Sequence, residues 1–190
     1  MAGSASLRLG LGEAFGALAV GHVTLSCISM GYATITAPPP RPPPAADADS
    51  TAAVVKVIST MYRGGGLEPA ACTERCSFDD PAASVRGRAE VIEAFRALRI
   101  TRPVHVEEPV GVSKADGSVE IHLRNRYFGL LDVSSCVDVR TAADGRICEI
   151  TERWNGAPLL EWPAFRFSRR LNGMISALLT PLMVGDQPKS

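Results

Sequence analysis

The sequence is poor in the residues from which most catalytic and metal centres are built. Its only imidazoles are His22, His105 and His122, which leaves little material for Ser–His–Asp or Cys–His nucleophiles. The five cysteines, Cys27, Cys72, Cys76, Cys136 and Cys148, are too few for a disulfide scaffold and contain no paired C-x-x-C. Cys72 and Cys76 lie at i and i+4, but no two further soft or imidazole ligands lie near them in sequence, so neither a metal nor another cofactor is expected. The thiols read as small buried hydrophobes. Net charge is missing as well: Lys plus Arg and Asp plus Glu number 20 each, so no long-range field draws the chain to nucleic acid. The one dense basic group is Arg166, Arg169 and Arg170, and nucleic acid is not an expected partner.

From Ala14 to Pro40 charge of either sign is absent altogether. The centre of this stretch, FGALAVGHVTLSCISMGYATI, approaches the ~20 residues of a membrane span, but Gly16, Gly21, His22 and Gly31 interrupt it. Residues 1–36 admit four readings. A secretory signal would use Arg8, the apolar run and a small-residue site at Gly31-Tyr32-Ala33. An organelle transit peptide would explain the Ser/Thr content and the near absence of acid. A retained anchor and a helix packed on the following domain are the other two. Organelle import or secretory or membrane targeting is favoured over plain cytosol. Residues 37–50 carry six prolines in the seven residues PPPRPPP, which favours a semi-rigid polyproline spacer; the P-x-x-P within it also fits an SH3-type ligand.

The remainder is long and apolar enough to close one core. Asp49-Ser50-Thr51 supplies a helix N-cap, Val54, Val57, Ile58 and Met61 recur at helical spacing, and Gly64-Gly65-Gly66 stops the helix. A short helical stretch is expected at Glu68 to Cys72, and Thr73 to Phe78 reads as a short strand or turn into DDP. Val85 to Arg99 reads as an amphipathic helix with Val91, Ile92, Phe95 and Leu98 on one face. The period then changes to two. Strands are expected over Val104–Val112, Ser118–Leu131, Val133–Thr141 and Arg146–Trp154, with D-G turns at Asp116-Gly117 and Asp144-Gly145. Val119, Ile121 and Leu123 point inward, and Glu120, His122, Arg124 and Arg126 outward. Two helices followed by an antiparallel meander make an α+β domain over 51–156. In the tail, 157–190, Leu171, Met174, Ile175, Leu178 and Leu182 repeat at helical spacing behind the three arginines. This amphipathic helix either covers the sheet or lies in a membrane surface.

The order of a DDP turn, a helix opening on V-x-G-R and a meander ending in D-G-R-I resembles the NTF2-like superfamily, in particular its SnoaL-like and ketosteroid-isomerase-like members. The residues that carry the resemblance are Phe78-Asp79-Asp80-Pro81, Gly87-Arg88 with Ile92 and Phe95, Asp144-Gly145-Arg146-Ile147 and Trp154-Asn155-Gly156. It implies a cone-shaped fold, a curved antiparallel sheet wrapped by helices around an apolar pocket, and a homodimer through the sheet in many members. It also implies that Asp80 faces the pocket as general base, with Phe78, Tyr127, Val137 and Trp154 lining the ligand site.

The isomerase-like members pair that base with a tyrosine on the first helix and a protonated carboxyl on the strand before the D-G turn. Here Val137 stands at the carboxyl's position, and Asp138 points to the other face. Val57 and Ile58 stand near the tyrosine's position, with Tyr62 about a turn late. A base without these partners argues against steroid-type isomerisation. Asp79-Asp80-Pro81 equally fits an Asx turn, with Asp79 as the turn former. His105 and His122 read as strand surface residues. Three functions follow: binding of a small apolar molecule without strong catalysis, an isomerase, cyclase or dehydratase using Asp80 as acid/base, or a non-catalytic scaffold.

Overall fold

A computed structural model describes residues 21–38, 42 and 48–184. Arg8, the rest of residues 1–20 and most of the proline run lie outside the described residues. The described elements are helices α1 (residues 21–35), α2 (Ala48–Thr60), α3 (Arg88–Thr101) and α4 (Pro163–Val184). With them are strands β1 (Cys72–Asp79), β2 (Ser84–Arg86), β3 (Val104–Ser113), β4 (Val119–Tyr127), β5 (Leu131–Thr141) and β6 (Ile147–Trp154). The strands form one curved sheet in the order β2-β1-β6-β5-β4-β3. This is the α+β cone that the resemblance implies.

Alternation decides which face is which. Ile121, Leu123 and Asn125 of β4, Val133, Ser135, Val137 and Val139 of β5, and Ile150 and Glu152 of β6 are all buried on the concave face. Across them pack Ile58, Met61, Val91 and Phe95. Phe95 is the keystone, with its ring 5.4 Å from Tyr62 edge-on and 4.8 Å from Phe78. The convex face carries the charges, where Arg153 reaches both Glu120 (3.0 Å) and Asp138 (2.7 Å). Register shifts in β3 between His105 and Glu107 and between Glu107 and Val110 mark bulges, which bend a strand.

Several boundaries differ from the sequence pattern. The sheet is not wholly antiparallel, because β1 pairs with β6 in parallel. These strands are distant in sequence, and their relative direction follows from how α3 carries the chain to the far edge of the sheet. Val85 belongs to a strand rather than a helix: β2 pairs Phe78 with Val85 and Asp79 with Ser84, and α3 starts only after Gly87, at φ 85°. Closing the β1–β2 hairpin overrides the helical periodicity. Glu68 to Cys72 is a single 3-10 turn at Pro69–Ala71, and the first helix already begins at Ala48.

Helix α1 is hydrogen-bonded to the domain along its length. Ser29 donates to the Pro81 carbonyl (2.8 Å), His22 Nε2 to Asn172 Oδ1 (2.9 Å), and Asn155 Nδ2 to the carbonyls of Ala33 and Thr34 (both 3.1 Å). Gly31-Tyr32-Ala33 lies inside this helix. Among the described residues no helix is long and apolar enough to cross a membrane. Helix α4 lies against β2 at Gly173, where an added Cβ would stand 2.2 Å from the Ser84 carbonyl oxygen. Gly173→Ala is therefore expected to lower stability by about 1–3 kcal/mol, the usual cost of overpacking, and thermal unfolding followed by circular dichroism measures the loss.

Candidate functional site

Along β1 the side chains alternate, so Phe78 points inward and Asp79 out, and Asp80, just past the strand's end, is half-buried with its carboxyl in electrostatic reach of Glu152, Tyr62 and Tyr127. Asp79 pairs with Arg86 at 2.8 Å on the outer side. Asp80, not Asp79, forms the turn: its Oδ1 accepts from the N–H groups of Ala82 (2.8 Å) and Ala83, and its own N–H donates to the Ala83 carbonyl (2.9 Å). The same residue is thus the Asx turn former and the inward carboxylate, two roles that the sequence presents as alternatives. Among the described residues Oδ2 is left uncommitted. From outside, the turn is held by Ser29 on the Pro81 carbonyl and by Asn172 on the Ala82 carbonyl (both 2.8 Å).

A second carboxyl lies in the same interior, on Glu152, which is 2% exposed. It directly opposes Val137 in the β5–β6 ladder. The partner missing at Val137 is therefore present one strand over, on the same face. Glu152 is saturated with donors: Tyr62 O–H to Oε2 (2.5 Å), Ser135 O–H to Oε1 (2.5 Å) and the Trp154 side chain. Tyr62 follows Ile58 by one turn and so shares its face, and the backbone then widens into a π turn over Met61–Gly65. A position one turn late along the helix is thus the one that reaches Glu152. The sequence held a signal for this carboxylate, since stepping back two residues from Trp154 arrives at Glu152 on the same face.

Burial pushes Asp80 up to about 7, the charge of Glu152 adds to the rise, and the two turn N–H groups oppose it. Part of the Asp80 surface still meets solvent, yet protein atoms crowd the carboxyl closely enough for desolvation to dominate. Glu152 is raised by burial as well, against the pull of its three donors. Those donors favour the ionised form of Glu152, whereas Asp80 Oδ2 accepts no hydrogen bond among the described residues. Tyr62 is raised well above its ordinary value, by burial and then by the Glu152 charge.

Tyr127 enters the same interior and ends a directional chain. His105 bonds Asn125 Oδ1 through Nδ1 and Ser59 through Nε2 (2.9 Å). Because the amide oxygen only accepts, Nδ1 carries a proton and donates to it, while Nε2 meets the Ser59 hydroxyl. Asn125 Nδ2 donates in turn to the Tyr127 oxygen (3.3 Å). The donors of His105 Nδ1 and Asn125 point toward Tyr127, whose own proton meets no acceptor among the described residues. His105 is thus an inward relay and not the surface residue expected from sequence. Its outer end borders a 340 Å³ depression with Arg63 and Glu108. His122 does lie on the outer face, bonded to Glu120 at 2.6 Å.

Of the other residues expected to line a ligand site, Phe78 and Val137 are core side chains and Trp154 is half-buried against Glu152. Four depressions on the described surface measure from 170 to 490 Å³, and neither Asp80 nor Glu152 lines any of them. Phe78, Phe95, Tyr62 and Val137 fill the concave side, where the resemblance implies an apolar pocket.

No protein-family model matches the chain, and no curated protein matches it. Similar solved structures include an NTF2-like protein of unknown function from Cytophaga hutchinsonii, 11% identical, with a TM-score of 0.44 over 53% of this chain and 85% of that one. Others are a de novo designed protein with a curved β-sheet (16%, TM-score 0.39, covering 54% and 98%) and Rv3472, a function unknown protein from Mycobacterium tuberculosis (14%, TM-score 0.36, covering 77% and 98%). At these identities no residue's role passes from them to this chain.

The raised Asp80 pKa fixes the sign of a pH effect. Its neutral form is favoured in the fold, so its contribution is fully present below the unfolded value of 3.8 and is lost as pH rises through about 7. Asp80→Asn keeps the turn acceptor and never ionises. It should match the native protein in acid and exceed it above neutral pH by on the order of 1–3 kcal/mol, each pKa unit being worth about 1.4 kcal/mol. Denaturant unfolding across this pH range reads the difference.

Proposed function

We propose that the domain is a proton-transfer enzyme of the isomerase or dehydratase type, acting on a small, largely apolar carbonyl compound with Asp80 as the general acid/base. The observation that carries this reading is the second carboxyl. Glu152 is already satisfied by Tyr62, Ser135 and Trp154, and a turn like that of Asp80 forms equally well in solvent. Burying the Asp80 carboxyl within the field of Glu152 costs stability above neutral pH, a cost that its two turn hydrogen bonds offset only in part. Such a cost is characteristic of sites shaped by chemistry.

Asp80 Oδ2 takes a proton from the carbon next to the carbonyl, and the electron pair moves onto the carbonyl oxygen. Tyr127, backed by the chain from His105 through Asn125, donates its free proton to that oxygen as a hydrogen bond. The proton then returns from Asp80 to a different carbon, so the substrate is isomerised with no co-reactant. A base titrating near neutral pH is well matched to this work.

A second reading, binding without catalysis, is favoured by one observation. The concave side is filled by Phe78, Phe95 and Tyr62, so a ligand enters only where side chains give way.

Hydrogen–deuterium exchange of small β,γ-unsaturated ketones in D2O, followed by NMR, separates the two. Turnover should rise as pH passes through about 7, fall roughly 10²–10⁴-fold in Asp80→Asn and fall less in Tyr127→Phe. Exchange that is indifferent to Asp80→Asn, or an apolar ligand found by native mass spectrometry in a protein that exchanges no probe, would sink the catalytic reading.

A further inference from the structure

Helix α4 is built inside out. Toward the domain it buries Ser168, Arg169, Gly173 and Thr180, while it exposes Met174, Ile175, Leu178, Leu179, Leu182 and Met183. The small buried residues allow close packing on β2 and α3, and the apolar residues turned outward have no partner among the described residues. Leu178 and Leu182 are 74% and 81% exposed. Helix α1 lies beside it, joined through Ser26 to Ser168 (2.9 Å) and His22 to Asn172 (2.9 Å). Its outer residues Val23, Ile28, Tyr32 and Ile35 are exposed too. Of the 18 large hydrophobic residues exposed on the described surface, 12 lie on α1, on α4 or at Trp162 just before it. Monomers rarely show so concentrated an apolar surface without a use for it.

Charge narrows the use. The chain has 20 acidic residues, yet residues 21–38 and Pro163–Val184 contain none. Arg166, Arg169 and Arg170 give α4 a formal charge of +3. Arg169 and Arg170 are drawn back onto Glu161 and Glu90, whereas Arg166 is 67% exposed and only loosely paired to Glu161 at 3.7 Å. Trp162, 77% exposed, and Phe167, 59% exposed, flank it. An outward apolar face, with aromatic rings and an arginine at one end and no carboxylate in either helix, matches the layers of an anionic bilayer surface.

We propose that α1 and α4 together form a docking face for an anionic lipid surface, with Leu178, Leu182 and Met183 in the acyl boundary and Arg166 and Trp162 at the headgroups. The face rests on exposure and charge, and it stands whether or not the interior is catalytic.

Flotation of the full chain with phosphatidylcholine vesicles, with or without a minority of phosphatidylglycerol, tests it. The native chain should float with the anionic vesicles, and Leu178→Glu/Leu182→Glu should cut the bound fraction about tenfold or more. Arg166→Glu should weaken binding roughly fivefold, and only where phosphatidylglycerol is present. Both variants change outward side chains, so unchanged thermal melting confirms that they fold. Absence of binding to either vesicle overturns the proposal. So does a dimer in light scattering that Leu178→Glu/Leu182→Glu dissolves, which assigns the face to a second copy.

Discussion

The buried carboxyl of Glu152 is the constraint on which the concave side of the sheet depends, and its charge bears on Asp80. Glu152 is held by hydroxyls from α2's extension and β5 and by its neighbour Trp154. Burial and the charge of Glu152 together raise the cost of ionising Asp80. Remove the donors and Glu152 would be harder to ionise; remove Glu152 and Tyr62, Ser135 and Trp154 would each lose an acceptor inside the core. Phe95 packs on Tyr62 and Phe78, and the low exposure of Glu152 is what gives its charge weight.

The sheet separates two kinds of electrostatics. On the convex face Lys114, Glu120, Asp138 and Arg153 form a half-exposed cluster of alternating sign, where solvent screens each pair and the net worth is small. On the concave face there are few charges, none with a cationic partner among the bonds described above, and each shifts its neighbours' proton affinity.

Much of this was legible in the chain. The period-two runs located β3 to β6 to within a few residues, the alternation of Val133 to Val139 gave the buried face, and the DDP turn pointed to Asp80. Three things were not legible, each because it depends on a neighbour remote in sequence. The face of Glu152 follows from its spacing to Trp154, but its place opposite Val137 does not, since register across strands is not written in either strand. Val85 belongs to a hairpin that exists only once β1 is in place. His105 lies next to a bulge, which breaks the alternation by which it reads as a surface residue. The inverted burial of α4 was likewise hidden, because a periodic apolar stripe says nothing about which side of a helix meets the domain.

The bond from Tyr62 to Glu152 joins residues 90 apart in the chain, and that from Ser135 to Glu152 joins residues 17 apart. Loops of the first kind close late, since their entropy is lost before any contact repays it. The surroundings that shift Asp80 and Glu152 are therefore complete only once β6 lies between β5 and β1. Until then Asp80 and Glu152 are two ordinary solvated acids on an unfinished chain. Their shifted titration is a property of the completed fold, and a signature by which completion itself can be recognised.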